Sequence, residues 1–353
     1  MAHSFSLKDW FKQATLGPPI LVLDGGVSTH LEHILSQKNQ TFSNRSLWSS
    51  SLLLTKEGRQ DILATHVTFY HHGADIVSTV TYQCHFGTQS TPCPVEPKAA
   101  MVHMIHDGLR LAHEAATSVG MNHHVVASLG CYGAALADGS EYSGNYERIS
   151  NEQLKEFHRR KLQIVAHGEY PPDAIAFETV PSVMEVFAIF ELLQEQQLNI
   201  PCWLSLACRN DSQLNDGTKV TIVMEKLQTL DPDSTILAGI GFNCCDSQYI
   251  IGLLSKILPS ISPPRAIILY PNSGEEWDAL SSTWKEGTGC TKPQEFADTM
   301  VTAIELIYEQ PVIPKLIVGG CCRTSPSTIA ALRKHVDEIL VRVFSVPLRV
   351  EKS

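Results

Sequence analysis

Eight short apolar runs, rich in β-branched residues, recur along the 353-residue chain and end in glycine or polar residues. They fall at 20–23, 75–81, 124–129, 174–177, 202–207, 236–242, 266–270 and 315–318. A near-continuous run of this length marks a strand buried on both faces, and such strands belong to parallel sheets covered by helices. Helical patterns lie between them, at 56–71, 96–118, 151–167, 182–196 and 293–308. Eight alternations without a linker or an internal repeat predict an α/β fold, a single (β/α)8 barrel of the TIM type. The domain is expected to span 1–353, with a tail at 333–353 that carries no readable structure. A doubly wound open sheet is the alternative. Neither a G-x-G-x-x-G after the first run nor a phosphate-binding loop supports it, and Asp24-Gly25-Gly26 is too short a signal for a phosphate cradle.

Composition narrows the function. The chain is 43% hydrophobic and 18% charged, which is globular and long enough to bury a core without disulfides. Its 27 Lys and Arg against 37 Asp and Glu leave a formal charge of −10, so no basic surface for nucleic acid is expected. Apolar stretches such as 266–270 are far too short for a bilayer, and the first 17 residues lack a secretory signal pattern. A soluble, cytoplasmic protein is the expectation. In that compartment thiols stay reduced, so the ten cysteines are not a disulfide framework. No C-x-x-C occurs; two Cys-Cys pairs occur instead, at 244–245 and 321–322.

The chemistry gathers at the ends of the predicted strands. Asp24, Tyr82, Glu178, Asn243-Cys244, Asn272 and Cys321-Cys322 all fall there, and a barrel turns such distant positions into neighbours around one mouth. Two long polar loops, 37–51 and 131–150, belong to the same face. Cys244 and the 321–322 pair offer three thiolates, a soft donor set suited to zinc, with a fourth tetrahedral position open as catalytic sites require. Adjacent residues of a regular strand point to opposite faces, so the backbone must bend for both Cys321 and Cys322 to reach one ion. Gly319-Gly320 is expected to permit that bend. Cys245 is expected to point away. Packing as a small hydrophobe is the plain reading of any single cysteine, and it is kept for Cys84, Cys93, Cys131, Cys202, Cys208 and Cys290. The 15 histidines form no H-E-x-x-H and read as packed or solvated.

Nine segments occur in order: DGGVSTHLE (24–32), LWS (47–49), TYQ (81–83), YGAALADGSEYSGNY (132–146), FHRRKLQ (157–163), FETVPS (177–182), GFNCC (241–245), YPNSGEEWD (270–278) and GGCCRTSPSTI (319–329). Together they resemble the homocysteine S-methyltransferases, nearest to the type that uses S-methylmethionine or S-adenosylmethionine. The likeness runs from about Leu21 to about Leu332. It departs before the eighth strand, where relatives tend to carry a Trp and a Gly-rich helix end and this chain has Tyr308-Glu309-Gln310-Pro311. The resemblance implies one catalytic zinc per chain on Cys244, Cys321 and Cys322, and the homocysteine amino group held by Asp24-Gly25 and Glu178 beside Asn243. It further implies methyl transfer from a sulfonium to the homocysteine thiolate, forming methionine, with no general acid or base.

Tyr82 and Trp48 are candidates for the sulfonium pocket through cation–π attraction, and plain packing is the alternative for each. Arg323 and Thr324 are read as capping the next helix, with Pro326 in its first turn. Glu141 reads as a loop acid, solvated or otherwise. Two other readings stand beside the main one. One keeps the barrel and uses betaine or another methyl donor. The other is a non-catalytic zinc-binding or thiol redox-sensing barrel. Donor choice, the donor-pocket residues and oligomeric state are not readable from the sequence.

Overall fold

The structure, a computed structural model, describes residues 5–13, 16–120, 122–146, 148–261, 265–275, 277–278, 283–284, 288–290 and 292–344. Eight parallel strands form the barrel: β1 (Ile20–Val22), β2 (Ile76–Ser78), β3 (His124–Gly130), β4 (Ala174–Val180), β5 (Cys202–Leu206), β6 (Gly239–Asp246), β7 (Ala266–Asn272) and β8 (Leu316–Val318). The order is β1-β8-β7-β6-β5-β4-β3-β2. The ring closes where Leu23 bridges Ile76 and the Asp75 amide donates to the Val22 carbonyl at 2.7 Å. Every apolar run therefore became a strand, shifted by a few residues at most.

Why the runs are apolar without interruption is visible in their alternation. Ile20, Val22, Val77, Val125, Phe177, Leu204, Phe242 and Leu269 pack outward against the helices. Leu21, Ile76, Val126, Ala176, Trp203, Ile268 and Ile317 fill the barrel interior. Side chains two apart share a face, so the inward row continues upward into polar positions: Ser78, Ser128, Glu178, Asn243 and Tyr270. The same alternation that builds the floor delivers the chemistry to the open end.

The helices of 56–71, 151–167 and 293–308 lie where their periodicity places them. Four others were not among the helical patterns named from the sequence: Val27–Gln37, Val220–Leu230, Ile250–Ile257 and Pro326–Phe344. The last of these carries residues 333–344, the first part of the unassigned tail; 345–353 lie outside the described residues. A short helix, Leu7–Lys12, was also not anticipated. It packs Leu7, Trp10 and Phe11 against the interior cluster and closes the end of the barrel opposite the site. Within the YPNSGEEWD segment Glu276 is outside the described residues; Trp277–Asp278 pairs antiparallel with Thr283–Trp284. Among the described residues no helix is long and apolar enough to cross a membrane.

Candidate metal centre and substrate cavity

A cavity of about 380 Å³ opens at the C-terminal mouth of the barrel, and the sequence-derived candidates Asp24, Gly25, Glu178, Asn243, Cys244, Cys321 and Cys322 all line it. Cys244 Sγ lies 3.1 Å from Cys321 Sγ and 3.8 Å from Cys322 Sγ, and all three sulfurs fall within 4.8 Å of one another. Four ligands at ~2.3 Å around a tetrahedral zinc are about 3.8 Å apart; the Cys244–Cys322 spacing has that value and the Cys244–Cys321 spacing is shorter. Among the described residues this is the only gathering of three or more His, Cys, Asp or Glu ligand atoms at such spacing.

The charge state of the trio makes the same case. Cys322 accepts from Cys244 and Cys321, and those hydrogen bonds hold its pKa below the thiol range. Cys244 is held above it, first by its bonds to Cys321 and Cys322 and then by burial. One thiolate is thus stabilised by its neighbours, while full ionisation of three buried, mutually repelling thiols calls for a cation among them.

The backbone that brings them together differs from expectation. Gly319 and Gly320 do not supply a left-handed bend; neither has positive φ. They are small because the chains are close. A Cβ on Gly319 would lie 2.7 Å from the Asp24 carbonyl oxygen, and one on Gly320 would lie 2.2 Å from Thr324 Oγ1. Positive φ falls instead on Cys244 (51°) and Arg323 (66°). At Cys244 the ladder steps from Asn243↔Tyr270 to Asp246↔Asn272, three residues on β6 against two on β7. This bulge aims Cys244 into the cavity and sends Cys245 into the outer core, where it is buried. A turn tied by Thr324 holds the other two cysteines. Thr324 Oγ1 donates to the Cys321 carbonyl at 2.7 Å and accepts from the Gly26 amide at 3.0 Å. Asn272 Oδ1 accepts from the Cys322 amide at 3.1 Å.

The two carboxylates lie below the sulfurs. Asp24, 2% exposed, accepts from the Ser78 amide at 2.7 Å and from Ser78 Oγ at 3.2 Å. Glu178, 8% exposed, accepts from Ser128 Oγ and, at 3.0 Å, from the Tyr270 hydroxyl, which in turn accepts from Trp203 Nε1. Burial raises the Asp24 pKa well above the carboxylate range and lifts that of Glu178 to about 7, against the lowering effect of these hydrogen bonds. Neither carboxylate has a Lys or Arg partner among the described residues. Two buried acids oriented by neutral donors and lacking a counter-ion make a receptor for a cation.

Asn243, 1% exposed, is committed to the protein. Its Oδ1 accepts from the Thr179 amide and its Nδ2 donates to Thr179 Oγ1, both at 2.8 Å. Thr179 lies in a second bulge with φ 59°, where β4 slips against β5 between Phe177 and Val180. One amide side chain therefore fastens the β4 bulge beside Glu178 to the β6 bulge beside Cys244.

Other candidates sort as follows. Tyr82 and Trp48 line the cavity. Glu141, half-buried, also lines it rather than lying in solvent. Arg323 does not cap the final helix; its guanidinium pairs with Glu275 at 2.8 and 3.1 Å, and Ser325 Oγ accepts from the Thr328 amide at the helix start. Thr324 serves the cysteine turn. Cys84, Cys93, Cys131, Cys202 and Cys208 are buried and Cys290 is partly buried. Sequence reasoning missed Ser78, Ser128, Tyr270 and Thr179. Counting two residues along each strand from the floor would have found the first three.

Comparison with known proteins agrees with this geometry. The family model described as homocysteine S-methyltransferase matches residues 21–336. Homocysteine S-methyltransferase 2 of Zea mays is 34% identical over 328 residues, covering 90% of each chain. Among solved structures, the homocysteine methyltransferase MmuM from Escherichia coli superposes in its oxidized form with a TM-score of 0.70 at 26% identity. Its metallated form gives 0.66 at 28% identity; each alignment covers 90% of this chain and 96% of that one.

Proposed function

We propose, from the premise that this chain belongs to the homocysteine S-methyltransferase family, that it methylates L-homocysteine from a sulfonium donor, S-methylmethionine or S-adenosylmethionine, with one zinc per chain on Cys244, Cys321 and Cys322. The family membership makes it a methyltransferase acting on a small-molecule thiol; the donor, the metal and the residue roles are this proposal. In the reaction the methyl–sulfur bond of the donor breaks as a new methyl–sulfur bond forms on the acceptor. The donor leaves as a thioether, and the thiol proton passes to solvent. With S-methylmethionine both products are methionine.

A zinc ion bound by the three cysteines supplies the stabilisation that keeps a substrate thiol ionised at neutral pH, where a free thiol is only a few per cent thiolate. The chain's own side chains do the rest. Asp24 and Glu178 bind the homocysteine ammonium, and Gly25 lets the turn after β1 pack closely on the protein beside them, since a Cβ there would meet Phe69 and the Thr324 carbonyl at 2.9 Å. Asn243 keeps Glu178 and Cys244 in register. Methyl transfer turns a cation and an anion into neutral products, a step that a dry site favours.

The observation that carries this reading is the meeting, in one cavity, of three unbridged thiols and two buried carboxylates that have no Lys or Arg partner among the described residues. The metallated form of the similar MmuM supports the metal. The test is elemental analysis alongside a donor panel. The expected result is one zinc per chain and methionine formation that a chelator abolishes. Cys321→Ala should lose both zinc and activity while keeping its circular dichroism; full activity in that variant refutes the ligand role.

A further inference from the structure

Two charged side chains at the rim of the cavity take no part in holding the thiols or the acceptor ammonium. Arg45, exposed in the loop ahead of Trp48, lines the cavity and forms no ion pair among the described residues. Glu141, at the start of the short helix Ser140–Ser143, lines it from the other long loop and is paired with no basic side chain among the described residues. Its charge is felt by Cys322 and Tyr82, which places it within electrostatic reach of the sulfur cluster. The rings of Trp48 and Tyr142 line the same cavity, and Tyr142 is 62% exposed.

A second substrate must come to the cluster from this rim, because the floor beneath the cavity is closed by Tyr270, Trp203 and the N-terminal helix. A sulfonium amino acid carries a carboxylate, an ammonium and a sulfonium. The rim offers a guanidinium, a carboxylate and two aromatic rings, one complement for each. Building on the sulfonium-donor reading above, we infer that Arg45 and Glu141 form a clamp for the donor's amino-acid head: Arg45 binds its α-carboxylate and Glu141 faces its cationic groups. The clamp makes the chain selective for sulfonium donors that bear an α-amino-acid group over simple alkyl sulfoniums.

The test compares S-methylmethionine with dimethylpropylsulfonium, which lacks the head group, on zinc-loaded wild type, Arg45→Ala, Arg45→Lys and Glu141→Gln. Calorimetric binding of S-methylmethionine is measured beside the kinetics. Loss of a charge-assisted contact of this kind weakens binding about tenfold or more. Arg45→Ala should raise KM and Kd for S-methylmethionine by that factor, leave the homocysteine KM within about twofold, and leave dimethylpropylsulfonium unaffected. Arg45→Lys should fall between, since it keeps charge and loses the fork. Glu141→Gln should weaken S-methylmethionine by a similar factor. An active wild type whose Arg45→Ala variant binds S-methylmethionine normally, or loses homocysteine instead, overturns the clamp alone. A wild type that uses neither of these sulfoniums nor S-adenosylmethionine overturns the donor reading, and the clamp with it.

Discussion

Asn243 shows how a residue that lines the cavity can also hold the fold around it. Both ends of its amide are engaged by Thr179, whose backbone holds a left-handed φ that costs a non-glycine residue of order 1 kcal/mol or more. Replacing Asn243 by Ala would orphan a buried amide N–H and release the β4 bulge. The expected loss is about 1–3 kcal/mol of folding stability in the ligand-free protein, read as a lower urea midpoint at unchanged m-value. A residue that only contacted substrate would leave that midpoint where it was. The cysteines, Asp24, Glu178 and Asn243 were legible in the sequence because each ends an apolar run, where polarity is conspicuous. Thr179 was not, because nothing in F-E-T-V-P-S marks a bulge without glycine. Arg45 was not, because a loop side chain has no periodicity to reveal the direction it faces.

Among the elements, the strands were easier to read than the turns that terminate them. A run such as Ala-Ile-Ala-Phe declares two buried faces; how the chain leaves the strand depends on neighbours hundreds of residues away. The turn after β8 packs on the turn after β1, and glycine is needed in both because they touch. Gly320→Ala should therefore push Thr324 aside and shift the Cys321 carbonyl it holds. Zinc affinity, measured by chelator competition, should fall at least about tenfold, with stability down by roughly 1–3 kcal/mol. Unaltered affinity in Gly320→Ala would show that the turn does not set the cluster. The Lys56–His71 helix carries a separate liability. His66 is fully buried, neither ring nitrogen has a partner among the described residues, and burial lowers its pKa from 6.5 to about 4. Above pH 6.5 it is neutral in both states and contributes no slope. Between about 6.5 and about 4 the unfolded chain takes up a proton that the folded chain refuses, so stability falls with falling pH, by up to about 3 kcal/mol. His66→Leu should remove that slope from urea titrations at pH 7.5 and 5 while folding normally at the higher pH.

The molecule as a whole divides its labour between the two ends of one barrel, and the division was half visible beforehand. The eightfold alternation fixes which end carries the site, since strand ends and long loops coincide there. It says nothing of what closes the other end, because six helical residues near a terminus give too short a pattern to read. That closure is built around Trp10 and Lys315. Trp10 is fully buried, and its indole donates to the Pro18 carbonyl at 2.7 Å. The Lys315 ammonium lies 4.6 Å from the Trp10 ring and donates to the carbonyls of Trp10 at 2.6 Å and Leu16 at 2.7 Å. One cation thus ends the N-terminal helix, fastens it to the start of β8 and satisfies carbonyls that would otherwise be buried unpaired. Trp10→Ala removes the floor of the interior cluster and should cost about 3–5 kcal/mol, the range for emptying a buried aromatic site. Lys315→Met keeps the stem and loses the bonds, and limited proteolysis within 16–19 should quicken. Both lesions lie at the closed end, with the Ile268 and Trp203 layer between them and Glu178. Zinc content and the homocysteine KM of either variant, measured where it remains folded, should therefore match the wild type. Loss of zinc from a folded Trp10→Ala protein would mean that the interior transmits strain from floor to mouth, and that the site depends on its lower closure as well as on its own turns.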